Sequence, residues 1–207
     1  MQQPIGKHIY IKERIRGKDA TMVCFRCGKN SRISLKHIGN MCNGCFLKII
    51  EKRVRKDIRT KKLIRKNDRI LMINNSSKEF FVSGFLLRKI IKELPASIAI
   101  RKSKKLNIGQ AIAKKYDKII VPWSLDDETE GFLGYLFNKE KQQKFSKKTI
   151  KLLKNVSEEE IALFAKIKKF RYRQGKKSKI KKMLDMLEQR YPGYKFSLLN
   201  SIKQMGS

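Results

Sequence analysis

Cysteine is confined to one short stretch of this 207-residue chain: Cys24, Cys27, Cys42 and Cys45 are the only four. A thiolate is the group that carries a persulfide or ligates an iron–sulfur cluster. Nothing after Cys45 can do either, so a catalytic thiol is excluded there and no iron–sulfur cluster is expected. Histidine is nearly as scarce, with only His8 and His37, both near the start. They cannot complete a Ser-His-Asp arrangement or a metal-hydrolase spacing. Acids are few: 18 Asp and Glu face 51 Lys and Arg, a formal charge of +33 that solubility alone does not require. Long apolar runs are also missing. None approaches the roughly 18 residues that span a bilayer, and Met1–Asp19 carries no apolar signal segment. No membrane partner is expected, and the cytoplasm is the expected compartment.

What the cysteines do form is Cys24-x2-Cys27-x14-Cys42-x2-Cys45. Two Cys-x2-Cys knuckles across a short loop supply four thiolates from two tight turns, the donor set of a closed, structural zinc site. Two disulfides would need an oxidising compartment, and a redox-active pair would need only one Cys-x2-Cys. Structural zinc is therefore the expected metal. Lys36, His37 and Asn40 in the intervening loop read as surface, with His37 superfluous as a ligand. A closed site holds structure and does not catalyse.

The charge is concentrated in two runs. Glu51–Lys66 (EKRVRKDIRTKKLIRK) holds nine basic residues against two acids. Its apolar positions, with Leu47 and Ile50 ahead of Val54 and Ile58, share one helical face, so a helix is expected to bury that stripe and turn Lys52, Arg53, Arg55, Lys56 and Arg59 outward. Lys166–Lys182 (KIKKFRYRQGKKSKIKK) holds ten basic residues and no acid, with Phe170 and Tyr172 interleaved. Cations pair with phosphates and rings stack on unpaired bases. Lys168, Lys169, Arg171, Tyr172, Arg173, Lys176, Lys177 and Lys179 are accordingly the first candidates for RNA contact. A solvated linker is the plainer reading of such a run, and the overall charge can also reflect the base composition or lifestyle of the source.

With 41% hydrophobic residues the chain can build a core, and between the basic runs the pattern turns α/β. Arg69–Asn74 reads as a buried strand, Asn74–Glu79 as a turn and Phe80–Leu94 as a helix ending before Pro95. Ser97–Arg101 is a second strand, Ile108–Tyr116 a helix and Lys118–Val121 a third strand. Glu128–Phe137 is again helical, with Asp126 or Asp127 as its N-cap. Those two acids with Glu128 could instead bind Mg2+, though acids at a helix N-terminus need no ion to be stable. Alternating strands and helices predict a parallel sheet with any ligand site at the strand C-terminal ends. The expected organisation is an arm over 1–20, a four-cysteine zinc finger with its basic helix over 21–66, and an α/β domain over 67–207 with a basic helical C-terminal part. Residues 138–155 remain unplaced between loop and helix.

Cys24-Phe-Arg-Cys27-Gly28, Cys42-x2-Cys45-Phe46, Glu51-Lys-Arg-Val-Arg55 and Asp68-Arg69 resemble the opening of the tRNA 2-thiolation proteins of the PP-loop ATP pyrophosphatase superfamily. Ser124-Leu-Asp-Asp-Glu128 and Arg190-Tyr-Pro-Gly-Tyr-Lys-Phe-Ser-Leu-Leu199 continue the likeness. The resemblance implies a zinc finger leading through a basic helix into a reduced PP-loop, or adenine nucleotide alpha hydrolase-like, parallel-sheet domain.

The departures from that family concern its active site. Active members carry S-G-G-x-D-S after the first strand, where glycines bring backbone N–H groups onto ATP phosphates. This chain has Asn74, Asn75, Ser76, Ser77, Lys78 and Glu79 there, and Pro122-Trp123 in place of the family's Gly-His before Asp126 and Asp127. By this comparison ATP binding is not expected, and the cysteines that serve the active family outside the finger are absent. Two-subunit versions of the system pair an ATP-binding member with one that has lost the site. The resemblance thus implies a pseudoenzyme, a non-catalytic tRNA-binding subunit in a heterodimer with a catalytic PP-loop thiolase paralogue, acting in wobble-uridine 2-thiolation, with a ubiquitin-like sulfur carrier reaching the complex through that paralogue. The alternatives are a divergent ATP-dependent tRNA thiolation enzyme and a zinc-finger RNA- or ribosome-binding protein without a role in modification.

Overall fold

Ile33 and Leu35 alternate with polar Ser34, which suits a strand with one buried face. β1 (Ile33–Leu35) pairs antiparallel with β2 (Gly39–Met41). The computed structural model describes residues 22–103, 106, 108–139 and 143–205, so the predicted arm over 1–20 lies outside it. From Cys42 the chain enters α1 (Asn43–Thr60), in which Phe46, Ile50, Val54 and Ile58 recur at four-residue steps and are all buried.

Parallel strands need crossovers, and the chain supplies them in turn. β3 (Arg69–Asn74) leads to α2 (Lys78–Ile91), β4 (Ser97–Lys102), α3 (Gln110–Lys114), β5 (Lys118–Ile120), α4 (Leu125–Asn138) and β6 (Thr149–Ile150). The sheet has the order β4-β3-β5-β6 with every pairing parallel. Three further helices follow: α5 (Glu158–Ile167), α6 (Lys179–Arg190) and α7 (Tyr194–Met205).

Both faces of this sheet are covered, as all-parallel sheets require. Ile70, Met72, Ile120 and Ile150 face a core shared with α1, α2 and α5, and that core runs without interruption into Cys24, Met41 and Phe46 of the cysteine module. Leu71, Ile73, Ile119 and Val121 point to the other face, against Ile112, Trp123 and Phe145.

Several boundaries differ from expectation for local reasons. α2 starts two residues early because the Ser77 side chain caps it, accepting from the Phe80 N–H at 3.4 Å. α4 is capped by Ser124, not by Asp126 or Asp127. The Ser124 hydroxyl accepts from the Asp127 N–H while the Asp127 carboxylate accepts from the Ser124 N–H at 2.8 Å, a reciprocal capping box. The unplaced stretch 138–155 contains β6, a strand of only two residues. From β3 the chain goes to β4 on one side and returns to β5 on the other, so a crevice opens at the C-terminal ends of β3 and β5.

Candidate functional site

The four sulfurs converge, all lying within 4.8 Å of one another, with Cys27 and Cys42 Sγ 3.6 Å apart. Gly28 makes the first knuckle possible: its φ of +71° is a conformation glycine adopts freely, and its N–H closes the turn onto the Cys24 carbonyl at 2.9 Å. Cys42 caps α1, its Sγ accepting from the Cys45 N–H at 3.4 Å. The thiols are unequal. Backbone N–H donors, first that of Cys42, pull Cys24 down to about 6, and the Cys45 N–H lowers Cys42. Cys45 is pushed up to about 12, chiefly by the sulfurs of Cys27 and Cys42. Negative charge piled on four neighbouring sulfurs is what a bound metal would relieve. Four thiolates suit zinc and iron–sulfur clusters alike on ligand chemistry; a centre held there would tie both knuckles and α1 together.

At the C-terminal ends of the strands, the crevice holds a cavity of about 210 Å³, lined among others by Asn75, Lys78, Trp123, Asp127, Glu158 and Arg173. Several of the groups that could meet an anion are already engaged, whereas Lys176 and the Arg173 guanidinium line the cavity exposed. The Ser76 N–H donates to Asn74 Oδ1 at 2.8 Å and the Ser77 N–H to Asn75 Oδ1 at 3.1 Å. The Ser76 carbonyl accepts from the Arg173 N–H at 2.9 Å, which straps the segment after α5 across the loop. Lys78 lies 3.0 Å from Glu79 and 3.6 Å from Glu158; burial works against its charge, and the two carboxylates more than compensate and raise it. Trp123 closes one wall, donating from Nε1 to Glu128 at 2.7 Å and packing edge-on against Phe145.

The acids beside the crevice are tied down by lysines from the C-terminal helices. Lys181 reaches Asp127 at 2.5 Å and also Glu158. Burial opposes the Lys181 charge, but these carboxylates raise it strongly. Asp126 is 1% exposed and accepts from the Glu158 N–H at 2.7 Å and from Lys195, itself 3% exposed. Burial lifts Asp126 above the ordinary aspartate range in spite of Lys195. Asp126 and Asp127 therefore hold helices together in this structure.

The predicted basic contacts divide. On α1, Lys52, Lys56 and Arg59 are exposed. Arg53 departs from the outward placement: its Nη1 donates to both carboxylate oxygens of Glu160 at 2.9 Å and to the Asn155 carbonyl at 3.0 Å. Arg55 is clamped by Glu51 at 3.0 Å and Glu93 at 2.8 Å. In the later run, Lys168, Lys169, Arg171, Arg173, Lys176, Lys177 and Lys179 are exposed, with Lys177 paired to Asp185 at 2.5 Å. Tyr172 is half-buried against the core, and Phe170 packs between Phe81 and Phe85, so Phe170 is not a free stacking platform.

One network escapes the sequence reading. His37, read as surface, sits 3.3 Å from Glu160 and packs against Phe196, joining the cysteine module to α5 and α7. Burial works to raise Glu160, which is fully buried, but His37, Arg53 and the Ser157 N–H lower it below the ordinary range. The signal was Ser157-Glu-Glu-Glu160, a capping-box pattern that places Glu160 on the first turn of α5.

Fold and site together define an α/β protein with the fold of a tRNA thiolase. The U34-tRNA thiolase NcsA from Methanococcus maripaludis, solved with its 4Fe-4S cluster, matches with a TM-score of 0.72 at 20% identity, over 90% of this chain and 88% of that one. Relatives in sequence are sulfurtransferases. The tRNA-5-methyluridine(54) 2-sulfurtransferase of Thermotoga maritima is 30% identical over 116 residues, 55% of this chain and 38% of that protein. A probable sulfurtransferase of Methanocaldococcus jannaschii is 24% identical, covering 89% of this chain and 78% of the relative. The chain thus matches well under half the length of the bacterial relative. No family model matches it. Among the described residues no helix is long and apolar enough to cross a membrane.

These relatives correct one expectation. Zinc as the assigned metal, with iron–sulfur clusters excluded, does not stand, because a thiolase of this same fold carries a 4Fe-4S cluster. The exclusion rested on counting cysteines beyond residue 45, whereas the four that are present already converge into one cluster whose ligand chemistry does not discriminate between these metal centres.

Proposed function

We propose that this chain is a tRNA-binding, non-catalytic subunit of a tRNA 2-thiolation complex. It pairs with a catalytic PP-loop thiolase and helps present the wobble uridine, while its partner supplies the nucleotide chemistry and receives sulfur from a ubiquitin-like carrier. The observation that carries this reading is the strand-end crevice. Its loop amides are bonded to Asn74 and Asn75, its acids are bonded to Lys181 and Lys195, and Arg173 straps across its mouth. The charge of +33 and the sulfurtransferase relatives support tRNA as the polyanion.

The test is co-purification with the catalytic thiolase of the same organism, combined with mass spectrometry of wobble 2-thiouridine in cells lacking this chain. Capture of the thiolase and a marked fall in 2-thiouridine are expected. Unchanged 2-thiouridine overturns the proposal. A second reading, a divergent ATP-dependent thiolase, is favoured by the cavity of about 210 Å³ that Lys78 still lines. Submillimolar binding of ATP with Mg2+ that weakens in Lys78→Met would select it. Cross-linking that recovers ribosomal RNA in preference to tRNA would point instead to an RNA-binding protein outside modification.

A further inference from the structure

At the opposite end of α2 from the crevice lies a larger groove, about 910 Å³, between α1, the turn that follows it and the end of α2. Lys48, Lys52, Lys56 and Arg59 stand along α1, and Lys62 and Arg65 stand on the turn, all six exposed. The α1 cations are three or four residues apart, about 4.5–6 Å along the axis, and make a row. The groove's two acids are committed elsewhere: Glu51 to Arg55 and Lys89, Glu93 to Arg55. The six remaining cations thus face the groove without a carboxylate among the ion pairs of the described residues.

The lining also contains no aromatic residue, only Lys, Arg, Glu, Ile and Leu. Binding of unpaired nucleotides relies on rings that stack on bases, whereas duplex RNA is held through phosphates and 2′-hydroxyls by shape. A cationic wall along α1 and the turn after it, without a stacking platform, matches the second. We propose that this groove docks the phosphate backbone of an RNA stem. The inference rests on the tRNA-binding reading and adds where the duplex lies. The 14 residues of α2 make a rod about 20 Å long, so a stem seated here would place neighbouring unpaired nucleotides at the other end, beside Tyr172 and the strapped crevice.

The experiment measures binding of the full chain to a fluorescent RNA hairpin, and to its loop sequence as a single strand, across a potassium chloride series. Three proteins are compared: wild type, Lys52→Gln/Lys56→Gln/Arg59→Gln, and Lys176→Gln/Lys177→Gln/Lys179→Gln, each checked for an unchanged unfolding midpoint. For the groove variant on the hairpin, the slope of log affinity against log salt should fall by about two to three, with little change on the single strand. A groove variant with wild-type slope on the hairpin, while the other variant flattens it, overturns the docking proposal and leaves RNA binding standing. Wild-type protein that binds neither RNA overturns both. Wild-type RNA binding by the groove variant together with lost binding of an acidic helical peptide would assign the groove to a protein partner and also overturn the proposal.

Discussion

The two ends of the parallel sheet treat positive charge in opposite ways. At the C-terminal ends of β3 and β5, Lys78, Lys181 and Lys195 are buried or half-buried and each meets carboxylates of the same chain. At the other end, Lys48, Lys52, Lys56 and Arg59 stand in water. A buried cation must be matched internally because desolvation makes an unpaired charge costly. An exposed one bears no such penalty and stays available to an outside anion. The buried cations at the crevice therefore hold the fold together, and the exposed ones in the groove are left to solvent.

The largest expected way to separate the two ends is removal of the metal. Cys42 caps α1, so stripping the centre with a chelator, or substituting Cys42→Ser, should loosen residues 22–50 and disturb the groove while β3 and β5 keep their protection. Amide hydrogen exchange reads this directly, and iron, zinc and acid-labile sulfide contents of the untreated protein identify the centre. Equal loss of protection at both ends would mean that module and sheet unfold as one unit.

Asp126→Ala comes next. It strands Lys195, 3% exposed, with only Asp185 at 2.6 Å as its partner. Breaking a buried pair in this way costs about 3–5 kcal/mol, measurable by urea unfolding. A cost below about 1 kcal/mol would show that Lys195 finds water or a new partner, and that the crevice is less closed than its ion pairs indicate.

Arg53→Gln is the smaller test, about 2–3 kcal/mol for loss of a charge-assisted bond to buried Glu160. It carries a pH signature. The folded-state pKa of Glu160 lies below its ordinary value of 4.5, so the carboxylate adds stability above that value and the contribution is lost as pH falls through the folded pKa. The acid limb of the stability curve should be shallower in Arg53→Gln than in wild type. Parallel acid limbs would assign the lowering of Glu160 to His37 and the Ser157 N–H instead.

How far the sequence could be read follows from the range of the interactions. β3 was legible to the residue because an apolar run between charged flanks carries its own signal. The buried stripe of α1 was legible from Ile50 to Ile58 for the same reason, through its period, but Phe46 begins it where Leu47 was expected. β6 was not, since two residues hold no periodicity and exist as a strand only through pairing with β5. Arg53 and Phe170 were misjudged because their partners, Glu160 and Phe85, lie far along the chain. The cysteine cluster was evident from spacing alone, yet its metal was not, since four thiolates specify a donor set and not an ion.

The ion pairs beside the crevice also run in one direction along the chain. Asp126, Asp127 and Glu158 are made well before Lys181 and Lys195, the residues that neutralise them. Synthesis proceeds from the N-terminus at about 5–20 residues per second, so the acids are made on the order of seconds before their lysines. Each of these acids thus takes its neutralising lysine from a helix later in the chain, α6 for Asp127 and Glu158 and α7 for Asp126.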